Sequence, residues 1–205
     1  MEKNNQRRHQ ENSGSSTRRY VVGISGASGV IYGIRLLEVM KKLGLESHLV
    51  MSPAAKVTIA AETDYSADQV EKLATTFYRI NDIAAKISSG SYQTSGMALV
   101  PCSMHSLGAL ASGVAENLLI RAAEVTLKER RPLVIVPREA PLTLTHIENM
   151  ARVTQAGAIV LPAMPAFYNR PKTVDDIVNH LVGKVLDQLK IENSVFKRWQ
   201  GFAED

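Results

Sequence analysis

Short apolar runs alternate with helical patterns along the chain from residue 19 onward. The runs are rich in Val, Ile and Leu and are bounded by Gly, Ser or Pro, as is typical of strands buried on both faces of a parallel sheet. The five predicted strands are Tyr20–Ser25, Ser47–Met51, Met97–Cys102, Leu133–Pro137 and Ala158–Leu161. This alternation predicts a single α/β domain with a Rossmann-like or flavodoxin-like, three-layer, doubly wound parallel sheet.

Amphipathic segments lie between these strands and after the last one. The six predicted helices are Val30–Leu43, Ala54–Ala61, Ala67–Thr76, Asn117–Arg130, Thr143–Gln155 and Val174–Lys190. Two helix starts are typical of a capping box, because Gln69 follows Ser66 and Asp176 follows Thr173 after three positions. Residues 79–95 are polar and rich in Ser and Gly, which predicts a long loop with at most one helical turn.

The composition is that of an ordinary globular protein, and it excludes collagen-like, disordered and secreted miniprotein classes. A single cysteine allows neither a disulfide framework nor a thiolate zinc cluster, so a reducing, cytoplasmic setting fits best. The net charge of +4 would suit a nucleic-acid partner. However, residues 1–19 hold five basic and two acidic side chains, which leaves the rest of the chain at only +1. We therefore expect no basic face and no nucleic-acid partner.

Residues 1–17 are predicted to form a disordered polar tail ahead of one domain at residues 18–205. The tail lacks the apolar region of a signal peptide. The longest apolar stretch, residues 156–168, contains Pro162 and Pro165 and is too short to span a membrane. The sequence thus predicts a soluble protein without a membrane partner.

The unusual residues of the chain lie at the carboxyl ends of the predicted strands, where open α/β sheets bind ligands. These ends run into Ser25–Gly29, Ser52–Pro53, Pro101–Ser106, Pro137–Glu139 and Pro162–Tyr168. Small hydroxyl side chains, glycines and prolines meet an Arg–Glu pair and a tyrosine there. This convergence predicts a ligand site at that edge of the sheet.

The turn after the first strand has glycines at positions 23, 26 and 29. This spacing suits a tight strand–helix turn and a phosphate site about equally well. A dinucleotide site would also have an acidic residue at the end of the second strand, where Met51 and Ser52 stand instead. NAD is therefore disfavoured, and a mononucleotide such as FMN fits better.

Several charged residues have two interpretations. Arg121, Glu124 and Lys128 share one helix face, with Arg121 and Lys128 about 10 Å apart. They form either a solvated face with Arg121–Glu124 and Glu124–Lys128 ion pairs or part of an anion site. Similarly, Arg138 and Glu139 form either a surface ion pair or a functional pair.

Four single residues remain. His105 and His146 have no partner at metal-ligand spacing, so no metal is expected. Cys102 ends a buried strand and packs most simply as a small hydrophobe. Trp199 is interpreted either as a core anchor or as a pocket wall.

Four segments together resemble the UbiX-type flavin prenyltransferases. They are GISGASGVIYGIRLL, VPCSMHSLGALASG, RAAEVTLKERRPLVIVPREAPLTLTHIENM and LPAMPAFYNRPKTVDDIV. The resemblance extends from Tyr20 to Trp199, and members of the family have often been labelled phenylacrylic or aromatic acid decarboxylases. It implies a flavoprotein that joins a dimethylallyl group from dimethylallyl phosphate to N5 and C6 of reduced FMN, without a metal. The product, prenylated FMN, would serve a partner decarboxylase of the UbiD type. A homo-oligomer, often a dodecamer with sites between subunits, is implied as well.

The resemblance also implies functions for matching residues. The implied flavin contacts are Gly26, Ala27, Ser28, Ser52, Ser103, Met104, His105, Ser106 and Arg138. The implied prenyl-phosphate contacts are Arg121, Lys128, Tyr168 and Lys184, with Trp199 near the prenyl pocket. The implied catalytic residues are Ser28, Glu139, Arg121 and Lys128.

The chain departs from the family pattern at two places. Met104 and His105 stand where many relatives have small residues such as Thr-Gly, and Lys184 stands where others have Arg. Lysine keeps the charge but loses the bidentate hydrogen bonding of a guanidinium group.

Two alternative functions stay open: an FMN-binding aromatic acid decarboxylase subunit and a non-enzymatic flavin carrier. The flavin-dependent cysteine decarboxylases share the fold, but CSMHS lacks their Asn-containing signature.

Overall fold

The computed structural model describes residues 18–201 and confirms the α/β class. Within these residues, six parallel strands form one sheet in the order β3-β2-β1-β4-β5-β6. The strands are β1 (Arg19–Ile24), β2 (Glu46–Met51), β3 (Thr76–Tyr78), β4 (Gly96–Cys102), β5 (Leu133–Pro137) and β6 (Ile159–Val160). This strand order is that of the doubly wound Rossmann fold. The predicted tail at residues 1–17 lies outside the described residues, as do residues 202–205.

Helices cover both faces of the sheet. Over residues 18–201 they are α1 (Val30–Lys42), α2 (Pro53–Glu62), α3 (Ala67–Glu71), α4 (Met104–Ala111), α5 (Leu118–Lys128), α6 (Leu144–Gln155) and α7 (Val174–Gln188). A 3-10 turn at Lys86–Ser88 lies in the predicted long loop, which is thereby confirmed. Both predicted capping boxes are confirmed, and Thr143 with His146 forms another.

Alternate residues of each strand face opposite sides of the sheet and build two apolar clusters. Val22 and Val134 face the layer that contains α1 and α7. Val21 and Ile135 face the layer that contains α4, α5 and α6. Burying one such side chain stabilises the fold by about 1.5–3 kcal/mol. The clusters place α5 and α7 on opposite faces of the sheet.

The structure corrects two element predictions. The helix predicted at Ala67–Thr76 ends at Glu71, and Thr76–Tyr78 forms strand β3 at the edge of the sheet. Threonine and aromatic residues favour extended structure once a neighbouring strand offers its backbone. Helix α4 was not among the predicted helices, and it begins directly after β4 because the Ser103 side chain caps it. No helix within residues 18–201 has the length and apolar character needed to cross a membrane.

Candidate active site

Ser25 joins two strand ends at the point where the strand order of the sheet reverses. From β1 the sheet extends to β2 on one side and to β4 on the other, and ligands of such sheets bind beyond the carboxyl ends there. The Ser25 hydroxyl donates to the Pro101 carbonyl at 3.0 Å and accepts from the Ser103 N–H at 2.7 Å. Ser25 belongs to the strand ends predicted to form the site, but no role was predicted for it. A hydroxyl that ends an otherwise apolar buried strand is the signal that points to it.

The glycines of the turn after β1 are required by the backbone itself. A Cβ atom at Gly26 would lie 2.3 Å from the Cβ of Ala54, so this turn packs directly on the start of α2. Gly29 has a φ of 94° and occupies the N-cap of α1. Its N–H donates to Glu62 at 2.8 Å and is therefore already used within the chain. Ala27 is buried, and Ser28 is half-buried between the two glycines.

Two serine side chains cap helices at the same edge. Ser52 accepts from the Ala55 N–H at 3.1 Å and starts α2. Ser103 accepts from the Ser106 N–H at 3.3 Å and donates to the Ser106 hydroxyl at 3.2 Å. A hydroxyl that accepts from a helix still has its own proton, so Ser52 can donate to a ligand. The first N–H groups of α4 have no partner inside that helix, which makes this edge suitable for anionic or carbonyl groups.

The side chains of Met104 and His105 point in different directions, one toward the apolar cluster and one toward solvent. The His105 side chain is 78% exposed, with Nε2 3.7 Å from Glu116. Met104 packs against the apolar cluster beneath α4. The backbone of the first turn of α4, together with Ser103 and Ser106, is thus the part of this segment suited to a polar ligand.

Arg138 and Glu139 follow β5 at the same edge, and both are exposed. The Arg138 N–H donates to the Cys102 carbonyl at 3.2 Å, which ties the end of β5 to the end of β4. A Glu139 carboxylate oxygen accepts from the Ala140 N–H at 3.0 Å. Across residues 18–201 the ion pairs include none between Arg138 and Glu139, so the surface-pair interpretation is wrong.

Helix α5 carries two of the predicted cations. Arg121 pairs with Glu124 at 2.7 Å, as predicted, and also donates to the Ser88 carbonyl at 3.2 Å. The predicted Glu124–Lys128 pair is not formed, because Lys128 pairs with Glu129 and holds the pKa of that carboxyl below its usual value. The 3-10 turn and Gly90 pack against this face of α5. Both cations are half-exposed and remain able to meet an anion.

Tyr168 is held by residues of α7 and of the C-terminal segment, residues 189–201. Its hydroxyl is 2.9 Å from His180 Nε2, and its ring contacts Trp199 edge-on at 5.8 Å between centroids. Burial lowers the pKa of His180, and the charge of Lys184, one turn further along α7, lowers it as well. Trp199 is half-exposed and belongs to this aromatic group, which favours the pocket-wall interpretation over the core anchor. Sequence reasoning did not find His180.

The candidate cations form two sets on opposite faces of the sheet. Arg121 and Lys128 belong to α5, and Lys184 with its neighbour Tyr168 belongs to the α7 side. One chain therefore does not bring Lys184 to Arg121 and Lys128. The carboxyl ends of the strands form one end of the sheet, the carboxyl edge. Because a crossover helix runs antiparallel to its strands, Lys128 also lies about 10 Å further than Arg121 from this edge.

Burial raises the pKa of the Cys102 thiol, because the side chain has no access to water. The thiol thus stays protonated and packs in the apolar cluster, as predicted. In the part of the chain that the structure describes, no group of three or more His, Cys, Asp or Glu side chains is arranged to hold a metal ion.

Comparison with known proteins identifies the family. The family model described as Flavoprotein matches residues 8–186. The chain is 54% identical over 186 residues to the flavin prenyltransferase UbiX of Thauera aromatica, covering 91% of this chain and 96% of that protein. A crystal structure of AnUbiX (PadA1) in complex with FMN and dimethylallyl pyrophosphate is 46% identical with a TM-score of 0.89, covering 90% and 98% of the two chains. A dodecameric FMN-dependent UbiX-like decarboxylase from Escherichia coli O157:H7 is 49% identical with a TM-score of 0.87, covering 89% and 100%.

The chain belongs to the UbiX flavin prenyltransferase family.

Its carboxyl edge suits the flavin of a UbiX protein on chemical grounds. The donors there are the hydroxyl of Ser52, the first-turn amides of α4 and the guanidinium of Arg138, which match the phosphate and carbonyl groups of FMN. The dominance of hydroxyl and amide donors suits one phosphate better than a dinucleotide, in line with the sequence analysis.

Proposed function

We propose that this protein transfers a dimethylallyl group from dimethylallyl phosphate to N5 and C6 of reduced FMN and releases prenylated FMN. The observation that carries the proposal is the 54% identity to a flavin prenyltransferase over nine-tenths of the chain. A structural relative contains FMN together with a dimethylallyl pyrophosphate, the same type of ligand pair. Residues 18–205 form the flavoprotein domain in this proposal.

The carboxyl edge of the sheet holds FMN. The contacts are Gly26, Ala27, Ser28, Ser52, Ser103, Met104, His105, Ser106 and Arg138, with Ser25 fixing the relative positions of the two loops. Met104 and His105 contribute backbone amides, since their side chains lie elsewhere. Bound reduced FMN supplies the nucleophilic N5 and the adjacent C6.

The cations bind the phosphate of the prenyl substrate. As the allylic C–O bond breaks, the leaving phosphate takes the electron pair and gains negative charge. Arg121, Lys128 and Lys184 stabilise that charge more strongly in the transition state than in the ground state. These three positive charges take the place of the metal ion that diphosphate-dependent transferases commonly use.

Aromatic rings flank the allyl group. The departing fragment is cationic, and the π faces of Tyr168 and Trp199 stabilise a cation without forming a bond to it. The two rings contact each other edge-on and together form one aromatic wall. The hydroxyl of Tyr168 meanwhile donates to the phosphate.

Glu139 and Ser28 move protons. Ring closure requires loss of the C6 proton and protonation of the alkene, and both groups lie at the carboxyl edge. Glu139 is exposed and free of an ion pair with Arg138, so its carboxylate is available as a base. Arg121 and Lys128 assist catalysis through the leaving phosphate.

The site is completed by other copies of the chain. Arg121 and Lys128 lie on the opposite face from Tyr168, Lys184 and Trp199, so a neighbouring copy must supply one of the two sets. Large apolar side chains are exposed on the single chain, including Val114, Leu142, Leu144, Ile147, Met164, Phe167 and Val174. Such a surface favours burial between subunits. We propose a homo-oligomer, a dodecamer like that of the E. coli relative.

The product passes to a partner decarboxylase of the UbiD type, which uses prenylated FMN as its cofactor. A reducing, cytoplasmic compartment suits both the single buried thiol and a reaction that consumes reduced flavin. The identity of the acid that the partner decarboxylates does not enter this chain's own reaction.

The test is anaerobic incubation of the purified protein with reduced FMN and either dimethylallyl phosphate or the pyrophosphate, followed by mass spectrometry of the released flavin. We expect a gain of one isoprene unit with the monophosphate. Unmodified FMN from a flavin-loaded protein would contradict the proposal. Release of carbon dioxide from cinnamate-type acids by this protein alone would then favour a decarboxylase subunit, and its absence a flavin carrier.

A further inference from the structure

Tyr168 lies on a segment that lacks helix or strand and is 52% exposed. A phenol on such a segment has rotamer freedom that substrate binding must remove. Its hydroxyl is fixed in the structure by His180, whose Nε2 lies 2.9 Å away. His180 belongs to α7 and is only 7% exposed, so a buried residue of a helix holds the hydroxyl of an exposed side chain.

The His180 ring is itself fixed by the C-terminal segment. Phe196 contacts it edge-on at 5.0 Å between centroids. Phe196 approaches α7 this closely because residue 183 is glycine, where a Cβ atom would lie 2.1 Å from the Phe196 ring. Arg198 stacks on Phe196 at 5.1 Å and pairs with Asp187 through two hydrogen bonds of 2.8 and 2.9 Å. This packing leaves the His180 ring little room to turn away from Tyr168.

The ring nitrogen of His180 that carries the proton decides in which direction the hydroxyl proton of Tyr168 points. Burial and the charge of Lys184 lower the pKa of His180, so its imidazole is neutral at neutral pH. A neutral imidazole has one N–H. If Nε2 accepts, the phenol proton points into the protein, whereas if Nε2–H donates to the phenol oxygen, the phenol proton is free. An anionic phosphate beside Tyr168 favours the second arrangement, because it attracts that proton.

We propose that His180 is a positioning residue, which donates from Nε2 to the Tyr168 oxygen and thereby directs the Tyr168 hydroxyl proton to the substrate phosphate. The inference rests on the proposed function, because the contact of Tyr168 with the phosphate is part of it. His180 touches neither FMN nor the prenyl group in this arrangement. Replacing His180 should therefore change the affinity for the prenyl phosphate and affect the flavin only indirectly.

The test is calorimetric titration of dimethylallyl phosphate into the FMN-loaded oligomer with the flavin oxidised, so that no transfer takes place. His180→Phe keeps an aromatic ring beside Phe196 but removes the nitrogen. We expect a roughly fivefold rise in Kd, the loss of about one hydrogen bond. His180→Gln restores most of the affinity, since its amide nitrogen reaches a similar position. In a Tyr168→Phe background, His180→Phe adds nothing further, because both changes remove one interaction.

Tyr78→Phe is the matched control. It removes a hydroxyl that lies 3.0 Å from Nδ1 of another buried histidine, His48, on the face of the sheet opposite Tyr168, and leaves substrate affinity unchanged. FMN affinity and melting temperature report whether each variant is folded, and His180→Leu replaces His180→Phe if the larger ring prevents folding. Steady-state kinetics should show a raised KM with little change in kcat.

The outcomes separate this inference from the proposed function. If Tyr168→Phe weakens substrate binding and the His180 variants without a nitrogen do not, the positioning role is overturned and the proposed function stands. If Tyr168→Phe binds the substrate as wild type does, the phosphate contact and the positioning role both fail. If wild-type protein does not bind the prenyl phosphate at all, the proposed function fails and the inference with it.

Discussion

The Ser25 hydroxyl accepts a hydrogen bond of 2.7 Å from the Ser103 N–H and so joins the end of β1 to the N-cap of α4. The same hydroxyl donates to the Pro101 carbonyl, within the strand that leads into that cap. The two loops that flank the strand-order reversal are therefore held at a fixed separation. Any flavin contact made by residues 26–28 and 103–106 depends on this link.

Ser25→Ala tests the link. The substitution leaves the Ser103 N–H without its partner, so we expect a loss of about 1–3 kcal/mol in the free energy of unfolding and weaker FMN binding. Urea denaturation and flavin titration measure the two effects. Ser47→Ala is the matched control, because Ser47 is equally buried but accepts from the Thr75 N–H at the far end of β2. It should lose stability without losing FMN affinity, and equal FMN affinity in both variants would contradict the role of Ser25.

Glu139→Gln separates flavin binding from proton transfer. Glutamine keeps the oxygen that accepts from the Ala140 N–H but removes the negative charge and the base. We expect FMN to bind normally and formation of prenylated flavin to slow by about 100-fold or more. Single-turnover mass spectrometry under anaerobic conditions provides the measurement, and Glu148→Gln on the exposed face of α6 serves as a charge control. Wild-type turnover in the Glu139 variant would exclude the acid–base role.

The Asp187–Arg198 pair predicts a pH-dependent attachment of the C-terminal segment. Hydrogen bonds from Arg198 lower the pKa of Asp187 in the folded protein. A carboxyl with a lowered pKa adds stability above its unfolded pKa of about 3.9, and this stability is lost as the pH falls through the folded value. Arg198→Met should therefore be less stable than wild type at pH 7, and the difference should be smaller at pH 2, where the ion pair with Asp187 no longer contributes. Denaturant unfolding at both pH values tests this, and a constant difference would show that the pair does not contribute through charge.

Much of the sheet was predictable because its strands are buried on both faces and read as short apolar runs. Strand β3 escaped prediction since it has only three residues and exists through pairing with β2, a contact that local sequence does not encode. Helix α4 escaped because its first residues continue the apolar and hydroxyl-rich end of β4. The tertiary neighbour decides the structure of β3, whereas the local Ser103 cap decides where α4 begins.

The position of the candidate site was predictable from the strand ends, but the placement of its candidate cations on two faces of the sheet was not. Strand ends meet at one edge of a parallel sheet, which is why Ser52, Ser103 and Arg138 could be grouped from sequence. Helical spacing shows that Arg121 and Lys128 share a helix face, but it does not show on which side of the sheet that helix packs. His180 was not singled out from the sequence, since its contact with Tyr168 spans a segment without regular structure.

Lys184 is predicted to act through its charge. Lys184→Arg should retain activity, whereas Lys184→Ala should lower kcat/KM for dimethylallyl phosphate about tenfold through loss of one charged hydrogen bond. Removing this charge should also raise the pKa of His180, because Lys184 lowers it in the wild-type protein. Steady-state kinetics and an NMR titration of the histidines measure these effects, with Lys190→Ala as an exposed control. Unchanged kinetics in Lys184→Ala would remove Lys184 from the site.

Mixed oligomers test whether each site is shared between copies. Lys128→Ala and Lys184→Ala should each be defective, but the two changes lie on opposite faces of the sheet. A site is intact only when its α5 half comes from the Lys184→Ala variant and its α7 half from the Lys128→Ala variant. When the two variants are reassembled in equal amounts, about a quarter of the sites should therefore be restored. Mixing Lys128→Ala with Arg121→Ala is the control, and it should restore nothing, since both changes affect the same half. Anaerobic turnover of the reassembled mixtures is the measurement. Equal activity of the two mixtures would mean that all three cations act within one chain.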